Sequence, residues 1–407
     1  MARLERIIER LELKEFQLRT LLDVSKAINN NVGRDELLRL FEHIVRDELG
    51  ITRLSLYEHA DGWARILSYG NDARDVAIDA EQLFGTFSDI QTISAEIEGR
   101  LGAFDVAVPV YHRDKPLAFL LIGDIDEEEQ RMSPVVKHLN FIQTLANLVA
   151  VALENQRMAS RQLQQVLDRR DLELAAQMQQ QLIPTELPRT DRLEAAAWYQ
   201  PHRLIGGDYY DLLPLGDQRY LACVADVSGK GVAAALLMSN FQAQVRAALP
   251  HTNDLDRLMR QLNERVYASA RGERFITFFA GLIDLGAGTL RFANAGHNDP
   301  LLHDGKRITP LHDGSIALGM MPTLPFLRIG EVALPSDGTL LCYTDGLVEQ
   351  EDAHGHAFES DPLERALEQF ASAGPDGLVS TVKSVFEAHR GTEPYLDDIA
   401  VLCCRFK

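Results

Sequence analysis

The sequence predicts a multidomain α+β protein: a compact α+β unit, a long helical linker, and a larger body of strands around two helix pairs. Three observations carry that prediction. Residues 1–49 repeat apolar side chains at helical spacing and lead into strand-like alternation about an Asp61–Gly62 turn. After Pro134 no glycine or proline interrupts the chain until Pro184. From about residue 190 onward, strand, turn and helix signals alternate in groups. The expected boundaries are 1–133, 134–183 and 184–407.

In the first segment, Leu18, Leu21, Leu22, Val24 and Ile28 mark one helix. The polar break NNNVGRDE separates it from a second, carried by Leu37, Leu38, Phe41, Ile44 and Val45. ITRLSLYEHADGWARILSYG and FDVAVPVYHRDKPLAFLLIGD read as two β-hairpins, the second turning at Arg113–Lys115. Residues 71–100 between them are acidic and irregular, as a pocket lid of loops is.

The fifty residues 134–183 would form a rod of roughly 75 Å at ~1.5 Å per residue. A 4-3 spacing through Ile142, Ala146, Val149, Leu153, Gln156, Ser160, Leu163, Leu167, Arg170 and Leu174 suits a parallel dimeric coiled coil weakened by polar positions. The same spacing also suits a helix packed on its own domain. In the third segment LEAAAWYQP, DYYDLLPL and RYLACVADV read as strands, and GVAAALLMSNFQAQVRAAL and 254–270 as helices. TFFAGLIDLGAGTLRFANAG and PLLHDGKRITPL read as hairpins, and DGTLLCYTDG as a buried strand. Helices at 362–373 and 375–389 and the strand DDIAVLCCRF complete a β-sandwich flanked by helices.

Composition narrows the function. With 46% apolar and 25% charged residues the chain is an ordinary globular one. Its formal charge of −19 excludes nucleic acid and anionic membrane surfaces as default partners and favours a divalent cation wherever the acids converge. Cys223, Cys342, Cys403 and Cys404 form no C-x-x-C pair and mostly lie in apolar runs, so they read as buried thiols. The longest apolar run, 145–153, is about half a membrane span, and the first residues lack a signal-peptide core. The expectation is a reduced, cytoplasmic protein without membrane insertion.

Four acids sit where an apolar strand meets a glycine turn or a second acid: Asp208 in LIGGDYYD, Asp226 in CVADVSGKG, Asp345 in LLCYTDGL and Asp397 in LDDIAVL. Asp–Gly alone is a turn dipeptide and occurs six times here, so no single one identifies a site. Together, carboxylates at strand ends can converge on one rim of a sandwich, where their repulsion calls for cations. Hard divalent ions take such oxygen ligands, and two of them ~3.5–4 Å apart can activate water and clamp a phosphoryl group. Gly206 and Gly207 allow close backbone approach beside Asp208, and Gly229 and Gly231 a tight turn into the next helix. Neither a P-loop nor a zinc-type spacing occurs.

The motifs GGDYYD, ADVSGKGVAAALLM, NAGHNDPLL, ALGM, YTDGLVEQ and DDIAVL, in this order, resemble the bacterial metal-dependent (type 2C-like, PPM) serine/threonine phosphatases that regulate sporulation and stress sigma factors. The resemblance covers just over half the chain and implies an αββα sandwich. It implies two Mn²⁺ or Mg²⁺ ions, with Asp226 bridging both and the Val227 carbonyl helping to hold one. Asp345 and Asp397 would bind the other ion, and Asp208 would be a ligand or the acceptor of metal waters. In such a mechanism a metal-bound hydroxide attacks phosphoserine or phosphothreonine in line. The implied substrate is a phosphorylated anti-sigma-factor antagonist of the STAS type. Asp398 is left as a neighbour of the ligand position.

Arg203, five residues before Asp208, is open to two readings, a phosphate contact or a surface loop arginine. His297 reads more readily as a hydrogen-bonded turn residue than as a proton donor. Lys230 reads as facing solvent. Asp299 departs from the proline usual after AGHN and puts the local loop shape in doubt.

Residues 15–155 resemble a GAF sensor, at the level of pattern. That unit has no cysteine for a bilin and lacks the N-K-x-F-D-E signature of cyclic-nucleotide binding. His43, His59, His112 and His138 are scattered and do not suggest haem. A small ligand, a partner protein or nothing remain open for it. The function expected is a phosphatase regulated by this sensor through a dimeric helical linker. The alternative is a pseudophosphatase acting as a binding module, which the four intact acids disfavour.

Overall fold

The computed structural model describes residues 2–70, 89–93, 104–112, 115–123, 134–248, 254–370 and 373–407. The expected lid at 71–100 and the turn at Arg113–Lys115 lie largely outside the described residues. The chain divides into two compact units, Met1–Leu167 and Asp168–Lys407.

The first unit opens with α1 (Ala2–Asn29) and α2 (Arg34–His43), which runs on through one wider π-type turn, Ile44–Glu48. Strands β1 (Arg53–His59) and β2 (Trp63–Tyr69) form the expected hairpin, with His59 opposite Trp63. β3 (Gln91–Thr92), β4 (Val106–His112) and β5 (Lys115–Gly123) complete an antiparallel sheet in the order β2-β1-β5-β4-β3. The core joins Val24, Leu37, Phe41 and Val45 of the helices to Leu54, Leu56, Val108, Leu120 and Ile122 of the sheet.

Helix α3 (Pro134–Gln180) supplies the rest of that core. Ile142, Ala146, Val149 and Leu153 are all buried within the first unit. The Gln156 side-chain amide donates to the Val32 carbonyl at 2.7 Å. This corrects the expected seam. Its first four positions pack on their own sheet, because a core-facing helix and a coiled coil share nearly the same apolar period. Leu163, Leu167 and Leu174 stay exposed.

The second unit is a four-layer sandwich. One sheet runs β13-β10-β9-β8-β7, with β14 also paired to β10. It comprises β7 (Tyr209–Gly216), β8 (Arg219–Val227), β9 (Ile276–Asp284), β10 (Thr289–Ala295), β13 (Gly314–Ser315) and β14 (Gly330–Ala333). The other runs β12-β11-β15-β16-β6. Its strands are β6 (Leu193–Gln200), β11 (Leu301–His303), β12 (Ile308–Pro310), β15 (Thr339–Tyr343) and β16 (Ile399–Phe406). Helices α4 (Val232–Ala248) and α5 (Leu255–Ala270) lie outside the first sheet, burying Met238, Phe241, Leu258 and Leu262.

A short α6 (Asp345–Val348) follows β15, and α7 (Asp361–Phe370) and α8 (Gly374–Arg390) cover the second sheet with Leu363, Leu378, Val382 and Phe386. All four cysteines are free and buried. Burial holds their thiols protonated, Cys404 being pushed up to about 12. Among the described residues no helix is long and apolar enough to cross a membrane.

Candidate active site

Hydrogen-bond register brings four strand ends to one edge of the sandwich. On the first sheet Tyr209 pairs with Ala225, which sets Asp208 at the start of β7 beside Asp226 near the end of β8. On the second, Tyr343 pairs with Val401, so the Thr344–Asp345 corner meets Asp397 and Asp398. The four predicted acids therefore do come together.

Their acidities record the crowding. Burial pushes the Asp208 carboxyl well above the carboxylate range, and the charges of Asp226, Asp398 and Asp345 push it further. Burial, then Asp345, raises Asp226 to about 7, with Asp397 and Asp398 adding to it. Asp345 rises to about 6 through burial, then Glu349 and Asp397. Among the described residues no three acidic, histidine or cysteine side chains already form a tight coordination sphere. The donor set still fits Mg²⁺ or Mn²⁺, which favour carboxylate and carbonyl oxygens and keep several of their waters. The Val227 carbonyl oxygen would lie 3.2 Å from a Cβ placed on Gly207, so glycine there keeps the carbonyl open.

The loop carrying Asp208 is fastened from three sides. Asp398 accepts backbone hydrogen bonds from His202 at 2.7 Å and Gly207 at 2.6 Å. Gln179, at the end of α3, donates to the Gly206 carbonyl at 2.7 Å and accepts from the Gly206 N–H at 3.1 Å. Thr344 donates to Asp208 Oδ2 at 2.7 Å. A Cβ on Gly206 would come within 2.6 Å of the Tyr199 hydroxyl and 2.8 Å of the Asp398 carboxyl carbon, so no larger residue fits.

Sequence reasoning missed this fastening. Asp398 is more than a neighbour: just before β16, the second acid of the DD pair holds the loop through the His202 and Gly207 amides. The doubled acid was the available signal. For Gln179 and Thr344 none existed, because their partners lie 27 and 136 residues away.

Other candidates resolve individually. Arg203 is exposed and, among the described residues, has no hydrogen-bond or ion-pair partner. His297 is buried, its Nδ1 2.9 Å from Thr277 Oγ1, and burial lowers its pKa to about 4. It is a neutral turn histidine. Asn294 donates to the His297 carbonyl at 2.9 Å and to Asp299 Oδ1 at 3.0 Å, so Asp299 closes the turn where proline is usual. Lys230 is exposed, as expected, and its ammonium also reaches Asp397 Oδ2 at 2.8 Å.

A family model, Stage II sporulation protein E (SpoIIE), matches residues 216–407. That span lies within the second unit and makes up just under half of the chain. The chain is 26% identical over 215 residues to phosphoserine phosphatase RsbU of Bacillus subtilis, covering 52% of this chain and 63% of that protein. It is 27% identical over 264 residues to protein IcfG of Synechocystis, covering 58% of this chain and 41% of that protein. It thus spans less than two thirds of either relative. Among solved structures, the SiaA-PP2C domain of Pseudomonas aeruginosa has a similar fold. Its TM-score is 0.54 at 23% identity, covering 60% of this chain and 98% of that one.

Proposed function

We propose that the protein is a Mn²⁺- or Mg²⁺-dependent phosphatase for phosphoserine or phosphothreonine in a protein substrate. The observation that carries this reading is the meeting of Asp208, Asp226, Asp345 and Asp397 at one sandwich edge, beside an open Val227 carbonyl. Asp226, on which Asp208, Asp345 and Asp397 all act, would hold both ions, Val227 would help at one, and Asp345 and Asp397 would hold the other. Bound ions would supply an activated water and positive charge for the phosphoryl oxygens. Asp208, to which Thr344 donates, would accept a hydrogen bond from such a water and orient it. Arg203 is free to turn its planar fork toward a substrate phosphate. The name of one relative, phosphoserine phosphatase RsbU, supports phosphoserine chemistry.

The finer reading assigns the first unit to a GAF-like sensor for a small ligand or partner protein. It makes α3 a linker for a homodimer, a phosphorylated STAS-type anti-sigma-factor antagonist the substrate, and the cytoplasm the location. The grip of Gln179 on Gly206 supports regulation through this helix, since a movement of its last turn is felt one residue from Gly207.

The test is hydrolysis of an aryl phosphate and a phosphoserine peptide by the full chain, titrated with Mn²⁺ and Mg²⁺. Metal-dependent turnover lost in Asp226→Asn supports the reading. Metal-independent turnover, or wild-type turnover in the variant, overturns it.

A further inference from the structure

The Lys230 ammonium lies 2.8 Å from Asp397 Oδ2 and also donates to the Leu396 carbonyl. Both partners are about half to a third exposed, at 49% and 36%. Among the described residues it is the one basic side chain ion-paired with the four converging acids. Its positive charge also reaches Asp345, lowering that carboxyl against burial, Glu349 and Asp397.

The backbone under Lys230 holds it there. Gly229 and Gly231 on either side have φ of +87° and +78°, a conformation that other residues adopt only with strain. Arg274 donates to the Ser228 carbonyl at 2.7 Å, and its guanidinium fills the space a Cβ on Gly229 would need. The turn therefore fixes where the lysine stem starts, four residues after Asp226, while half of the side chain stays exposed to solvent.

We propose that Lys230 is an exchangeable counter-ion: its ammonium neutralises Asp397 in the metal-free protein and leaves that oxygen when a divalent ion takes it. This rests on the metal-dependent reading above. One carboxylate oxygen cannot serve an ammonium at 2.8 Å and a divalent ion at about 2.1 Å without strong repulsion between the two cations. Displacement of the lysine is thus built into metal binding. The ion pair keeps the crowded acids from unfolding the site and weakens the metal affinity of the same cluster. On its flexible stem the released ammonium remains beside the rim.

The experiment is calorimetric titration of Mn²⁺ into the metal-stripped full chain, with thermal unfolding in metal-free buffer alongside. Lys230→Met keeps the stem and removes the charge, Lys230→Gln repeats the test with a polar head, and Lys230→Arg restores the charge. The neutral variants are expected to bind Mn²⁺ on the order of tenfold more tightly, because a competing cation is gone. They are also expected to melt at lower temperature without metal, and Arg to return both values toward wild type. A purely structural lysine would lower stability without tightening metal binding. Unchanged or weaker Mn²⁺ binding by both neutral variants overturns the proposal. Absence of Mn²⁺ binding in wild type overturns the metal reading itself, and this proposal with it. Asp226→Asn, run in parallel, locates the ions measured.

Discussion

The Thr344 hydroxyl donates to Asp208 Oδ2 at 2.7 Å and accepts from the Ala400 N–H at 2.8 Å. One buried side chain therefore ties the first sheet's acid to the backbone of β16 in the second. Asp208 is almost wholly out of water, so without this donor its charged form has lost a partner that burial makes scarce. Thr344→Val keeps the shape and removes the hydroxyl. The expected result is a loss of roughly 1–3 kcal/mol in stability and at least a tenfold fall in metal-dependent turnover with KM little changed. Equal kcat in the variant would show that Asp208 needs no such aiming.

Charge crowding predicts an unusual dependence on pH. Asp226 rises to about 7 and Asp345 to about 6, mainly through burial, from an ordinary value of 3.8. A carboxyl raised on folding keeps its proton better in the folded chain. Its contribution to stability is full below 3.8 and is lost as pH climbs through 6 and 7. In metal-free buffer Asp226→Asn should match wild type near pH 4. It should exceed wild type by roughly 1–3 kcal/mol at pH 8, while turnover with metal nearly vanishes. Melting curves at both pH values check it, and a gap that shrinks toward pH 8 would contradict the crowded site.

How much of this was legible in the sequence depends on the range of the signal. Asp345 announced itself because LLCYT runs straight into Asp–Gly, β7 and β8 were legible as strands, and the hairpins β9/β10 and β11/β12 were legible with their turns. Strands β3 and β13, two residues each, are too short for any period to show. The run Ile142–Leu153 misled because burial against a domain and burial against a second helix leave one pattern. The Lys230–Asp397 pair and the Gln179 clamp depend on chain crossings that no local pattern encodes.

Gln179 offers a test of that clamp. Its amide makes both hydrogen bonds of the Gly206 peptide, much as a neighbouring strand would. Gln179→Ala should cost about 1–2 kcal/mol and loosen the loop. The exposed Gln177→Ala on the same turn should cost almost nothing. Hydrogen exchange at the Gly206 and Gly207 amides reads the loosening directly, and protection unchanged in Gln179→Ala would remove the clamp from the account.

The exposed stretch of α3 sets the last expectation. Leu163 is 62% exposed, Leu167 48% and Leu174 52%, at spacings of four and seven along one helix. Three leucines on such a stripe are costly to leave in water, and a second copy of the same stripe would cover them in register. The full chain is expected to be a dimer by light scattering at micromolar concentration. Leu163→Glu with Leu167→Glu should give a monomer with the melting temperature of the sandwich unchanged, since neither residue lies in a buried core. A monomeric wild type would end the homodimer reading. A dimer that survives both glutamates would move the interface off this stripe.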